Sequence, residues 1–341
     1  MPGIERRTRV IEGISPGAIP YNELMANEQP VIIKGLVRDW PLACTESPEQ
    51  AAAYLKSFYR GRPVVAFIGQ PQHKGRFGYT ADATQLDFES DRGQLGEYLD
   101  IILGLLEEEE APTFYIGSTD VDTFLPGFRA ENDLVLNHAM FEANPPLVGA
   151  WIGNRSTALA HYDMSNNIAC CLVGQRRFTL FPPEQIENLY PGPLEPTPGG
   201  QVLTMANIHA PDHQRFPRLR QALAAGQVAD LDPGDALFYP AMWWHEVEAL
   251  DAFNVMVNYW WNTSPSYMDT PQNTLLHALL SLRDRPEQEK RAWRAVFDYY
   301  VFGPADRAGA HLPEAARGNL GLMDEIKARR LRALLMRKLN R

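Results

Sequence analysis

The 341-residue chain has 45% apolar and 22% charged residues, the balance of a globular protein that buries a sizeable core. Its net charge of -10 argues against a general nucleic-acid binder, which presents a basic field. Three cysteines, Cys44, Cys170 and Cys171, give no disulfide framework and no CxxC pair. With no signal-peptide core and no apolar run of membrane-spanning length, the expectation is a reduced, cytoplasmic protein without a membrane partner.

Residues 1–30 start polar and are punctuated by Pro16 and Pro20, with a short helix around Tyr21–Met25. PVIIKGL, residues 30–36, reads as a buried strand ended by Gly35. Ser47-Pro48-Glu49 opens a helix, with serine at the N-cap and proline in the first turn. The apolar spacing of Ala52, Leu55, Phe58 and Tyr59 continues it. A second strand covers Arg62–Ile68, a polar loop follows, Leu95–Leu106 is helical, and Thr113–Gly117 is another strand.

From Pro145 to Thr263 short apolar strands recur between Gly, Pro and Asn turn signals: PLVGAWIGN, TALAHYD, NNIACCLVG, QRRFTLFPP, QVADLDPGD, ALFYPAM, HEVEAL and FNVMVNYWWN. Regular short strands predict a sandwich or barrel. Two insertions interrupt the series, one with a short helix at Pro182–Leu189, the other ending in a helix from Pro217. After Ser264-Pro265 the pattern turns helical, over Met268–Leu282, Pro286–Val301 and Leu320–Leu339. The last is basic and amphipathic, a pattern that suits packing on the domain or on a second subunit better than lipid. The predicted organisation is mainly β with flanking helices: residues 1–263 as one domain around a barrel of residues 145–263, and residues 264–341 as a helical region.

His161 and Asp163 stand two apart at the end of an apolar strand, so both point to one face. A lone HxD pair is weak, but His245 follows a Pro233-Gly234-Asp235 turn and a strand, with two tryptophans beside it. Two histidines and one carboxylate on one face of a metal leave three positions open, as non-haem Fe(II) oxygenases require. A zinc hydrolase also keeps an open position. The next strand, however, offers a cation, Arg176 or Arg177, that can fork onto the carboxylate of a 2-oxoacid. Adjacent strand residues face opposite ways, so one of the two points inward. His209 and His213 make a competing cluster, read as a loop near the site entrance because Pro211 lies between them.

AHYDMSNN, GQRRFTLFPPEQIENLYPGP, DLDPGDALFYPAMWWHEVEAL and VNYWWN, in this order and spacing, resemble the JmjC-type cupin oxygenases. Within them the resemblance runs to the asparaginyl hydroxylases of the factor-inhibiting-HIF type and their bacterial relatives, and PVIIKGLVRDWP is similar to that group's N-terminal strand and turn. The resemblance implies a double-stranded β-helix, the jelly-roll cupin barrel. It implies Fe(II) held by His161, Asp163 and His245 and chelated by 2-oxoglutarate. Arg176 stands where the family has a lysine on the far carboxylate of 2-oxoglutarate. Tyr115, Asn167 and Asn258 fall on other cosubstrate positions. The family's threonine is replaced by Ala158, with Thr157 adjacent. By position Trp260 is expected to border the substrate cleft, where the entrance loop is expected to bring His209, and the resemblance implies a homodimer through the C-terminal helices. The implied reaction is O2-dependent decarboxylation of 2-oxoglutarate to succinate and CO2, coupled to hydroxylation of a protein or peptide side chain. The rivals are a small-molecule hydroxylase, a JmjC-type N-demethylase and a non-catalytic metal-binding cupin.

Overall fold

The computed structural model describes residues 3–340. The chain divides into two compact units, Met1–Asn262 and Thr263–Arg341.

Among the described residues of the first unit, seven strands precede the barrel: β1 (Arg6–Arg7), β2 (Arg9–Ile11), β3 (Val31–Ile33), β4 (Val64–Gly69), β5 (Arg76–Phe77), β6 (Glu89–Gly93) and β7 (Thr113–Asp120). The barrel strands are β8 (Leu147–Gly153), β9 (Ser156–Tyr162), β10 (Asn166–Val173), β11 (Arg176–Phe181), β12 (Gln227–Leu231), β13 (Ala236–Tyr239), β14 (Trp244–Ala249) and β15 (Asn254–Trp261). Two sheets result, a six-stranded one in the order β1-β12-β11-β14-β9-β5 and a nine-stranded one in the order β2-β3-β13-β10-β15-β8-β7-β4-β6. The chain crosses between them, with β8, β10, β13 and β15 in the larger sheet and β9, β11, β12 and β14 in the smaller. This is the double-stranded β-helix of the jelly-roll class.

Three apolar clusters follow from the period-two alternation of these strands. The barrel interior packs Ala169, Cys171, Phe178, Leu180, Tyr239 and Val247. The larger sheet buries its outer face, including Ile116, Ile168 and Val257, with Leu55, Leu95 and Leu99 of the helices Pro48–Phe58 and Leu95–Gly104. The smaller sheet buries part of its outer face, Ala160, Phe181 and Trp244, under Leu189, Leu219 and Leu223 of the β11–β12 insertion. Cys170 and Cys171 fall in different clusters, as neighbours on a strand must.

Local chemistry sets the element ends. Ser47 Oγ accepts the Gln50 backbone N–H at 3.3 Å, and Pro48 fills the first turn of its helix. The helix expected to reach Leu106 stops at Gly104. The strand β6, Glu-Ser-Asp-Arg-Gly, has no apolar alternation and falls outside the predicted elements; it forms because β4 offers it an edge to pair with.

One irregularity matters for the site. His161 opposes His245 across the β9–β14 ladder, but Ala158 opposes Val247. The spare residue lies in β9, between Ala158 and His161. Such a bulge changes which face the following side chains present.

The second unit carries helices Pro271–Ser281, Glu287–Phe297 and Glu325–Leu339. The Asp324 carboxylate caps the last by accepting the Lys327 backbone N–H at 2.8 Å. Among the described residues no helix is long and apolar enough to cross a membrane.

Candidate metal centre

His161 lies near the end of β9, and His245 is its ladder partner on β14; their ring centroids are 4.4 Å apart. Asp163 sits one residue beyond β9, where its carbonyl accepts the Met242 backbone N–H at 2.7 Å. Its Oδ2 is 3.7 Å from His245 Nε2. One ligand atom from each of the three lies within 4.8 Å of the others, and among the described residues no other such group of three occurs.

The outer contacts orient each ligand. His161 Nδ1 lies 2.7 Å from the Leu159 carbonyl, and His245 Nδ1 lies 2.9 Å from the Trp243 carbonyl. A carbonyl only accepts, so each Nδ1 carries a proton and each Nε2 is the nitrogen left to face a metal. Burial first, and His161 beside it second, hold the His245 pKa well below the ordinary histidine range, so the ring is a neutral donor. Asp163 is fixed by three donors: the Trp260 indole at 3.1 Å and Asn167 at 3.4 Å on Oδ2, and Gln201 at 3.3 Å on Oδ1.

Arg176 is 1% exposed and shares its face of β11 with Phe178 and Leu180, so it points into the barrel. Its Nη2 donates to the Trp151 carbonyl at a long 3.5 Å, and its Nε has no partner. Among the described residues no carboxylate pairs with it. Arg177 faces the other way and donates to Asp230 at 2.6 Å. An unpaired buried guanidinium is costly, so the interior suits an anionic guest. Tyr115 stacks on Trp151 at 5.0 Å, and burial pushes its hydroxyl up to about 12 while Arg176 beside it pulls the other way. Asn258 donates to Asn167 Oδ1 at 2.7 Å and leaves its own buried Oδ1 without a partner. The polar capacity left open at Arg176 and Asn258, with two histidines presenting Nε2, fits a divalent metal chelated by a small acid.

Two expected site residues are not in this set. Thr157 faces away from the interior: the bulge gives Ala158 the inward position, and Thr157 pairs with Arg76 and Glu248 on the outer surface. His209 lies outside this set as well. It lies 2.5 Å from Glu246 Oε1, and Glu246 points to the outer face because it follows the inward His245. Gln201 escapes sequence reasoning; nothing in PGGQ marks it, since its contact with Asp163 depends on how the insertion folds back.

A family model described as a cupin-like domain matches residues 16–267. The chain belongs to the cupin-like domain family. Its relatives include HSPB1-associated protein 1 from Homo sapiens, 26% identical over 79% of this chain and 56% of that protein. Lysine-specific demethylase JMJ31 from Arabidopsis thaliana is 29% identical over 36% of this chain and 23% of its own length. Lysine-specific demethylase 8 from Xenopus tropicalis is 32% identical over 34% of this chain and 25% of its own. The chain spans little more than half the length of the HSPB1-associated protein it matches. The match makes the chain a JmjC/cupin-type family member, and its His161–Asp163–His245 group sits in that family's barrel.

Proposed function

We propose that the protein is an Fe(II)- and 2-oxoglutarate-dependent oxygenase that hydroxylates a protein or peptide side chain. The observation that carries this is Arg176, a buried guanidinium with no carboxylate partner, in the same barrel interior as the His161–Asp163–His245 group. The two histidines and Asp163 hold the metal. Arg176 anchors the far carboxylate of 2-oxoglutarate by a two-pronged bond. Tyr115, Asn167 and Asn258 supply the remaining polar contacts, and Trp260 borders the substrate cleft while tying down Asp163. Bound together, the metal and the 2-oxoacid supply the oxidising power for C–H hydroxylation by O2, with release of succinate and CO2. The protein's own work is to turn Nε2 of both histidines toward the metal, to hold the acid, and to keep other groups away from the reacting centre.

The name of HSPB1-associated protein 1 supports a polypeptide partner or substrate. The names of the two lysine-specific demethylases favour a second reading, in which the oxidised carbon is an N-methyl group of a basic tail. The net charge of -10 is compatible with such a tail. Formaldehyde release from methylated peptides, against a mass gain of one oxygen, separates the two.

A homodimer through the C-terminal unit belongs to the same reading. Among the described residues none of its three helices buries a side chain, and Leu280, Phe302 and Leu322 are 81%, 75% and 89% exposed. Exposed apolar surface on this scale calls for a cover. Sedimentation of the full chain against a chain truncated after Asn262 tests it.

The deciding experiment is anaerobic titration of metal-free protein with Fe(II) and then 2-oxoglutarate, followed by visible absorption. A charge-transfer band that needs both, and that His245→Ala abolishes, supports the proposal. No band, with tight zinc binding instead, would put the non-catalytic cupin or a hydrolase in its place.

A further inference from the structure

The β11–β12 insertion covers part of the outer face of the smaller sheet, yet Gln201 within it turns to Asp163. Its Nε2 donates to Asp163 Oδ1 at 3.3 Å. The segment that follows is firmly anchored. Thr204 donates its backbone N–H to the Ala160 carbonyl at 2.8 Å, next to His161, and Gly192 donates to the Leu203 carbonyl at 2.8 Å. The Leu203 backbone N–H donates to the Tyr79 hydroxyl at 3.3 Å. Gln201 is therefore presented from a fixed edge of backbone.

The two oxygens of Asp163 have different surroundings. Oδ2 faces His245 Nε2 at 3.7 Å and accepts from Trp260 and Asn167. Oδ1 has Gln201 as its side-chain donor. Trp260 and Asn167 hold the oxygen that faces His245, and Gln201 holds the other, so the carboxylate is restrained at both of its oxygens.

We propose that Gln201 is a positioning residue that holds Asp163 with a single oxygen toward the metal. The inference rests on the metal reading above. Two histidines and one carboxylate oxygen leave three positions open. A chelating 2-oxoacid takes two and dioxygen needs one. A carboxylate free to turn can offer both oxygens and close one of these positions. A primary amide is well suited to this role, because it donates a hydrogen bond without adding a charge that would compete with the metal for Asp163.

The test uses the full-length metal-free protein with Co(II) as probe, read by calorimetry and by the visible absorption of the bound ion. Gln201→Met keeps the length of the side chain and removes the donor; Gln201→Ser is too short to reach. Both are expected to weaken Co(II) binding about tenfold or more, as loss of an outer-shell partner does. Both should also change the visible spectrum, weaken subsequent 2-oxoglutarate binding, and leave the melting of the metal-free protein unchanged. Co(II) affinity and spectrum identical to wild type in both variants would overturn the proposal and leave the metal reading standing. A lowered metal-free melting temperature with an unmoved spectrum would also overturn it, by showing a structural role only. Failure of the wild-type protein to bind Co(II) would remove the metal reading itself.

Discussion

His161 and His245 are partners across one rung of the β9–β14 ladder, with ring centroids 4.4 Å apart and each Nδ1 bonded to a carbonyl two residues back in its own chain. Two paired strands thus hold both rings, and backbone acceptors fix their tautomers. The donor set is prepared before any metal arrives, because its supports are backbone groups that packing already immobilises.

Loss of a ligand should therefore separate metal binding from folding. His161→Gln and Asp163→Asn are expected to reduce Fe(II)-dependent succinate formation to background while the metal-free protein melts much as wild type does. A chelator should silence the wild type, and excess Fe(II) should restore the wild type alone. Succinate formation at the wild-type rate in either variant would refute the ligand assignment.

Arg176 and Arg177 should behave in opposite ways. Arg176→Met removes a buried, unpaired charge, so the ligand-free protein is expected to melt higher. Its 2-oxoglutarate affinity should fall by about 2 kcal/mol or more, the scale of a charged hydrogen bond. Arg177→Ala breaks a partly exposed pair with Asp230 and should cost less than about 1 kcal/mol of stability, with 2-oxoglutarate affinity unchanged. Titration calorimetry and thermal melting check both.

The pairing of His209 with the fully buried Glu246 raises the histidine pKa above its ordinary value. Because the folded value exceeds the unfolded one, this bond stabilises fully below about pH 6.5 and is lost as the pH rises through the raised folded value. His209→Gln is expected to flatten that part of the melting-temperature profile. A wild-type profile already flat from about pH 6 to about pH 9 would contradict it.

Gly149 gives room for the indole that holds Asp163. A Cβ there would lie 2.5 Å from Trp260 Cζ3 and 3.0 Å from its Cη2. Gly149→Ala should cost about 1–3 kcal/mol of stability through overpacking. It should also weaken metal binding by displacing Trp260 from Asp163. Gly104→Ala, with nothing within 4 Å of the added carbon, serves as control and should leave metal affinity alone. Equal metal affinity in Gly149→Ala and wild type would count against the bond from Trp260 to Asp163 as a support of the site.

The eight barrel strands are legible because they recur as short apolar runs with turn signals between most of them, and alternation then assigns Cys170 and Cys171 to opposite faces. The helix from Pro48 is legible from its cap. By contrast, β6 has no pattern of its own and depends on the edge of β4. The C-terminal helices are visible as elements, with bounds a few residues wide of those observed, since helix ends fray into turns.

The sequence by itself determined the mainly β fold with flanking helices and the residue types of the candidate site. Both are written in local periodicity, and in the recurrence of His-x-Asp and a later His at strand ends. Tertiary structure alone decided which side chains share the interior. The bulge in β9 turned Ala158 inward and Thr157 outward. The alternation of β14 sent Glu246, and His209 with it, to the outer face. The fold of the insertion brought Gln201 to Asp163. Each of these depends on register between segments distant in sequence, and a shift of one residue reverses every face it touches.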